Sequence, residues 1–410
     1  MTTESLSRKA LEGVRVLDLS ESESGAVAAQ TLAWYGAEVV RIEEPGTGGQ
    51  SRCANTDMPG VDGYPFIFLN CNKQSVTLDL QSEQGRQLLR RMIPRADILI
   101  EDRPPGTVER LGFSYQQVSA INPRIIYAQI KGFSPNGPYA NYPSSETIAQ
   151  AMGGVMSLTG PGELPPLKVG ASIGGTGSGL LCLSGILAAL YRRLETGLGR
   201  QVECSMEDVV LHYCRMGYAG RYYALRQARP RAGNRHTWAP TAPCNTYHCK
   251  PFGPNDYVYI FCIRGYNKHW ERLLNAIGRE DLLGDLRFAT PEARFAHLSE
   301  VDELVGGWTR NYTKYEAVRI IGDGGVPIGM TLDTKELSED PYLRQCGTFV
   351  TIRHPVRGEI VVPGWPVKMS EMPVEVTRPP MLGEHNIRVC REWLGLDEQE
   401  IAQLRADRVI

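Results

Sequence analysis

The feature that most restricts how this chain can fold is a rhythm in its first 135 residues, where short apolar runs alternate with amphipathic segments. Residues 14–19 (VRVLDL) read as a strand, 26–35 (AVAAQTLAWY) as a helix halted by Gly36, and 37–42 (AEVVRI) as a second strand. The unit then repeats, with a strand at 75–80, a helix from Ser82 and Glu83 to about Met92, a strand at 97–100, a helix from Thr107 and a strand at 125–130. Strands this short and apolar, separated by helices, imply an α/β fold with a parallel sheet covered on both faces.

After Gln150 the pattern turns helical, with AMGGVMSL and GLLCLSGILAALYRRLE, a strand at 201–204 and a long helix from Glu207 to about Arg226. The run ARPRAGNRHTWAPTAP, 228–243, fits neither period and reads as a linker or site loop. A smaller α+β region follows to about Gly329, then strands at 347–352 and 359–362 and a helix from Glu384. A length of 410 residues accommodates two or three domains, here divided as 1–227, 228–330 and 331–410. The uncharged stretch 169–191 is half Gly and Ser, so it predicts a buried core helix and not a membrane span.

Composition narrows the function. With 44 basic against 46 acidic residues the net charge is -2, without the basic excess of a nucleic-acid footprint, so no nucleic-acid partner is expected. The opening residues carry no apolar secretory core, so the cytoplasm is the expected compartment and the ten cysteines read as thiols. Cys244, His248 and Cys249 form the only near-cluster of metal ligands, and no metal is expected. His236 reads as a solvated loop residue, and His385 as structural at a helix start.

Two turns could carry chemistry. The first βα turn, Ser20-Glu21-Ser22-Glu23-Ser24-Gly25, has one glycine and two carboxylates, which is wrong for cradling a pyrophosphate on bare amides. A nicotinamide dehydrogenase is therefore disfavoured. The run Gly174-Gly175-Thr176-Gly177-Ser178-Gly179 lies before the apolar helix and either presents amides to an oxyanion or lets that helix pack closely.

Ten segments in order, among them LEGVRVLDLS, GAEVVRIEEPGTG, RADILIEDRPPGTVERLGFS, NPRIIYAQIKGFSPNGPYA, TGLGRQVECSMEDVVL and PMLGEH, resemble the family III CoA-transferases across nearly the whole chain. The resemblance implies a Rossmann-like large domain built from both ends of the chain, a smaller α+β domain between, and two interlocked subunits. It implies chemistry in which an enzyme aspartate accepts an acyl group from a CoA thioester, then carries CoA to a new carboxylic acid. CoA thioester enters as substrate, and its contacts fall by resemblance at Leu78, Asp102, Arg110 and Leu111.

The position matching the aspartate is Gly175, and no Asp or Glu lies between Glu163 and Glu195. The family's glutamine in the first βα turn becomes Glu23, and basic residues near CoA phosphates become Glu44, Gln81 and Pro143. Three expectations compete. In the first, this chain is the non-catalytic subunit of a heteromer whose paralogous partner keeps the aspartate, as in the branch acting on succinyl-CoA and benzylsuccinate in toluene degradation. In the second, Glu146 or Glu23 does the work in a self-sufficient homodimeric transferase or acyl-CoA isomerase. In the third, the protein binds acyl-CoA without turnover. An engineered aspartate-to-glycine change would leave the same sequence.

Overall fold

A computed structural model describes residues 9–219, 223, 225–236, 241–263 and 265–410. The chain divides into two compact units, one of residues 9–154, 169–214 and 342–410, the other of 155–168 and 215–341 within those described.

The first unit is organised by a six-stranded parallel sheet. Its strands are β1 (Arg15–Asp18), β2 (Glu38–Glu43), β3 (Gln74–Thr77), β4 (Ile98–Glu101), β5 (Ile126–Lys131) and β6 (Gln201–Ser205), in the order β3-β2-β1-β4-β5-β6. Alternate residues of each strand supply opposite faces even where the run is wholly apolar. Val16, Ile98, Ile100, Ile126 and Ile130 face one core, while Leu17, Leu99 and Tyr127 face the other.

The first core is covered by helices α1 (Glu23–Trp34) and, counting only the principal helices, α4 (Gly175–Thr196), through Ala28, Leu32, Cys182, Leu183 and Ile186. Between them in sequence lie α2 (Glu83–Met92) and α3 (Glu146–Met152); α5 (Met206–Tyr213) follows β6. The second core combines α2, through Leu88, Leu89 and Met92, with residues from the chain's far end, Val389, Trp393, Leu404 and Val409. Backbone bonds fix this closure: Asp79 N–H donates to Val409 O at 2.9 Å, and Thr77 N–H to Asn386 Oδ1 at 2.9 Å.

The second unit has an antiparallel sheet of β7 (Cys244–His248), β8 (Tyr257–Phe261) and β9 (Ile328–Met330), in that order. It packs on α6 (Lys268–Ala276), α7 (Leu298–Thr309) and α8 (Lys314–Asp323), with Trp270, Leu273, Val301, Val305 and Ile321 in the core. The returning segment forms the hairpin β10 (Phe349–His354) and β11 (Gly358–Pro363), then α9 (Asn386–Leu394) and α10 (Glu398–Ala406).

Several boundaries move for local reasons. The helix expected from 26 begins at Glu23, because the carboxylate of Asp102 caps the turn before it. The long helix from Glu207 is broken at Cys214 and resumes over Arg215–Tyr218, and the chain enters the second unit at Arg215 and leaves it at Pro341, outside the 228–330 span. Residues 220–222 and 224 of that expected helix, and 237–240 of the irregular segment, lie outside the described residues. The final helix is two, divided at left-handed Gly395 and restarted by a capping box at Asp397 and Glu400. Among the described residues no helix is long and apolar enough to cross a membrane.

Beneath β1 to β3 lies a buried ionic network. Asp18 pairs with Lys73 at 2.9 Å and Arg41 at 3.5 Å, Glu43 with Arg52 at 2.9 Å, and Arg52 with Asp62 at 2.7 Å. All are almost fully buried. Burial pushes the Asp18 carboxyl up, but Lys73, Arg41 and the Ser20 hydroxyl together hold it below its ordinary value.

Candidate active site

The sheet order sets β1 beside β4, with the strands winding outward from each, so the crevice beyond their carboxyl ends is the switch point where α/β proteins gather ligands. The turn after β1 wraps the carboxylate of Asp102, which follows β4. Its oxygens accept the N–H of Glu21 at 2.7 Å, of Ser22 at 3.1 Å and of Gly25 at 2.9 Å. An internal carboxylate thus takes the amides a pyrophosphate would need, and a Cβ at Gly25 would fall 2.7 Å from Asp102 Oδ2. This is the physical basis for setting aside nicotinamide binding, and it makes Asp102 a cap of α1.

A second convergence lies at the start of α4. Glu146, the first residue of α3, reaches across so that its carboxylate accepts the N–H of Ile173 at 3.1 Å, Gly174 at 3.2 Å and Gly175 at 2.6 Å. Gln150 Nε2 adds a bond at 2.7 Å and Ser172 Oγ one at 3.1 Å. Glu146 is therefore more than a charge on its own helix. Burial raises its pKa, and the bonds from Gln150, Gly175, Gly174 and Ser172 outweigh burial and hold it below the ordinary carboxylate value.

Glu23, half-buried at the first position of α1, faces the same helix start. Its Oε2 accepts from Ser172 Oγ at 2.7 Å and its Oε1 from Thr176 Oγ1 at 2.5 Å. A Cβ built on Gly175 would lie 2.9 Å from Glu23 Oε2 and 2.9 Å from Ser172 Oγ. The Glu23 carboxylate stands where a side chain at 175 would project.

Each glycine of the run is thus a close approach to a different neighbour. Beyond Gly175, a Cβ at Gly174 would meet Glu146 Oε2 at 2.9 Å, at Gly177 the Tyr213 ring at 2.6 Å, and at Gly179 the carbonyl of Ser24 at 2.5 Å. Both readings of the run hold in part: its amides are donors, yet they serve Glu146, and its bareness lets α1 and α4 touch.

Glu146→Gln tests this wiring. The amide offers one acceptor oxygen in place of two, leaving at least one amide of 173–175 unpartnered at a cost of about 1–3 kcal/mol. A lower urea midpoint and faster hydrogen exchange at Gly174 and Gly175 are expected; an unchanged midpoint would refute the bonding described.

The positions expected for CoA separate. Leu78, at the end of β3 and buried, lines a cavity of about 150 Å³ with Ser20, Glu21, Arg41, Glu44, Asp79, Gln81 and Arg103. Neither Arg110 nor Leu111 lines it: Arg110 is exposed and bonds Thr107 Oγ1 at 3.3 Å, while Leu111 packs in the core beneath. Both cations of this cavity are engaged, Arg41 near Asp18 and Glu43, and Arg103 with Glu21 at 3.0 Å.

Elsewhere, His385 Nδ1 accepts the Ser75 N–H at 3.2 Å, which makes it structural, and His248 stacks on Tyr257 in β8. Cys244 is buried against the Tyr259 hydroxyl at 3.1 Å. His236 lines a cavity with Tyr259, Phe261 and Pro327 in the second unit. Ser172 and Thr176 escaped the sequence reading. Their signal is positional: hydroxyls three residues before and one after the glycine that replaces an expected carboxylate.

Comparison with known proteins follows the same outline. A sequence profile described as CoA-transferase family III matches residues 11–386. The chain is 42% identical over 414 residues to the formyl-CoA:oxalate CoA-transferase of Streptomyces avermitilis, covering 98% of this chain and 100% of that protein. A protein of the same name from Bradyrhizobium sp. is 38% identical, with coverage of 97% and 96%. Among solved structures, a CAIB/BAIF family protein from Brucella suis superposes with a TM-score of 0.84 at 29% identity, covering 94% of this chain and 99% of that one.

Proposed function

The chain belongs to CoA-transferase family III, and from that premise we propose that it moves coenzyme A from an acyl-CoA thioester to a free carboxylic acid at the start of α4. The observation that carries this reading is the convergence of Glu23, Glu146, Ser172 and Thr176 on Gly175: the amides and hydroxyls of the site all point at carboxylates. A site abandoned with its nucleophile would have no reason to hold two carboxylates around the gap. Formyl-CoA and oxalate, taken from the relatives' names, are the first pair to assay, with succinyl-CoA and benzylsuccinate next.

A second reading is favoured by Gly175 itself: the chain as a silent subunit beside an aspartate-bearing paralogue. The exposed apolar side chains Tyr191, Leu194 and Leu198 near the end of α4 support an obligate assembly of either kind. Exchange of labelled acid into acyl-CoA, run on the purified chain alone and with such a paralogue, separates the two. Turnover by the chain alone is expected. Activity only in the mixture would transfer the catalytic role to the partner.

A further inference from the structure

We infer that Glu23 is the covalent carboxylate of this protein, moved from the helix α4 to the helix α1 while its place in the site is kept. The inference rests on the transferase reading above and adds the residue that carries it.

Geometry distinguishes Glu23 from Glu146. A carboxylate offers about four lone-pair sites. Glu146 has four donors besides Ser172, three of them backbone amides fixed by the helix start, so its lone pairs are committed. Glu23 has two, both hydroxyls, one on each oxygen. Ser172 has a single hydrogen to give, and the shorter contact, 2.7 Å against 3.1 Å, assigns it to Glu23. Glu23 is thus oriented by rotatable donors and keeps lone pairs for attack. Its place at the first turn of a helix of twelve residues adds the favourable dipole without tying down an oxygen.

The close approach to Gly175 explains the paired departure from the family pattern. With 2.9 Å between a Cβ at 175 and Glu23 Oε2, a side chain at 175 would make the Glu23 carboxylate shift from this position. Gly175 reads as the space that lets Glu23 enter. Glu146, Ser172 and Thr176 act as positioning residues, Glu146 by holding the helix start and the hydroxyls by holding the carboxylate.

The reaction balances without a proton donor or a further reactant. A Glu23 oxygen bonds to the thioester carbonyl carbon as the C–S bond breaks, giving an anhydride and CoA thiolate. The thiolate attacks Glu23 Cδ, and the donor acid leaves as carboxylate with one former Glu23 oxygen. The acceptor carboxylate attacks the resulting glutamyl thioester, releasing thiolate. The thiolate takes the acceptor acyl group, and Glu23 is regenerated.

The test uses the full chain. Incubation with formyl-CoA or succinyl-CoA and no acceptor, quenching with hydroxylamine, and peptide mass spectrometry should place a hydroxamate on Glu23 within residues 16–41. Glu23→Gln should lose the adduct and at least about 10³-fold in exchange, while its circular dichroism and thermal midpoint stay near those of the parent. Exchange by the wild-type chain with the adduct on Glu146, on another residue or nowhere would overturn the assignment to Glu23 and leave the transferase reading standing. A chain with neither exchange nor adduct alone, but exchange with an aspartate-bearing paralogue, would overturn both.

Discussion

Gly175→Asp should inactivate this protein, and Gly175→Asp combined with Glu23→Gln should revive it. The single variant drives a Cβ to 2.9 Å from the Glu23 carboxylate and sets a third carboxylate beside Glu23 and Glu146. Two unit charges about 4 Å apart repel by roughly 4 kcal/mol at the dielectric of a site near a protein surface. That is enough to lower the melting temperature and to force a proton onto one of them, removing the nucleophile's charge. Exchange should fall by at least about 10²-fold in this variant and by about 10³-fold in Glu23→Gln. The double variant restores one carboxylate and one amide, with shapes traded between α1 and α4, and should return to within about tenfold of wild type. A coupling of this sign is specific to two positions sharing one role. If Gly175→Asp alone outperforms wild type and is indifferent to residue 23, Gly175 is a true deficiency and the silent-subunit reading replaces ours.

The second large effect is on stability. Asp18→Asn leaves Lys73 and Arg41 buried opposite a neutral side chain, and breaking such a network from one side costs about 3–5 kcal/mol. Chemical denaturation should show the midpoint fall with an unchanged slope. Pairing Asp18→Asn with Lys73→Met should cost less than the sum of the singles, because the stranded cation is then gone. Additive losses would mean that the ions contribute independently. The acid limb offers a further check. The Asp18 carboxyl is held below its ordinary value, so its contribution is present above the unfolded pKa near 3.8 and drains as pH falls through the lower folded one. Asp18→Asn should therefore show a shallower loss of stability below that pH than wild type.

Much of the large sheet was legible because its strands are buried on both faces and so announce themselves as continuous apolar runs, as in VRVLDL and IIYAQI. Gly36 and the glycine run likewise marked real ends and close approaches. What sequence could not give is pairing across distance. That Glu23 meets position 175, or that Asp102 caps the turn after β1, depends on which helix lies beside which, and nothing in the local residues of either partner encodes it. The helix expected through Arg226 is interrupted at Cys214, where the chain passes from the first unit to the second, and is helical again over Arg215–Tyr218.

The first unit is also sewn shut by its last residues, since Asp79 bonds Val409 and the core under α2 takes Trp393, Leu404 and Val409. During synthesis the ribosome must deliver the whole second unit before these arrive. A nascent chain that has emerged only to β6 presents Leu88, Leu89 and Met92 uncovered, an apolar face that is bait for chaperones and for sister chains on the same message. Such a protein is most vulnerable until residues 386–410 have emerged, and its yield on expression should respond more to holdase supply and translation speed than its final stability would suggest.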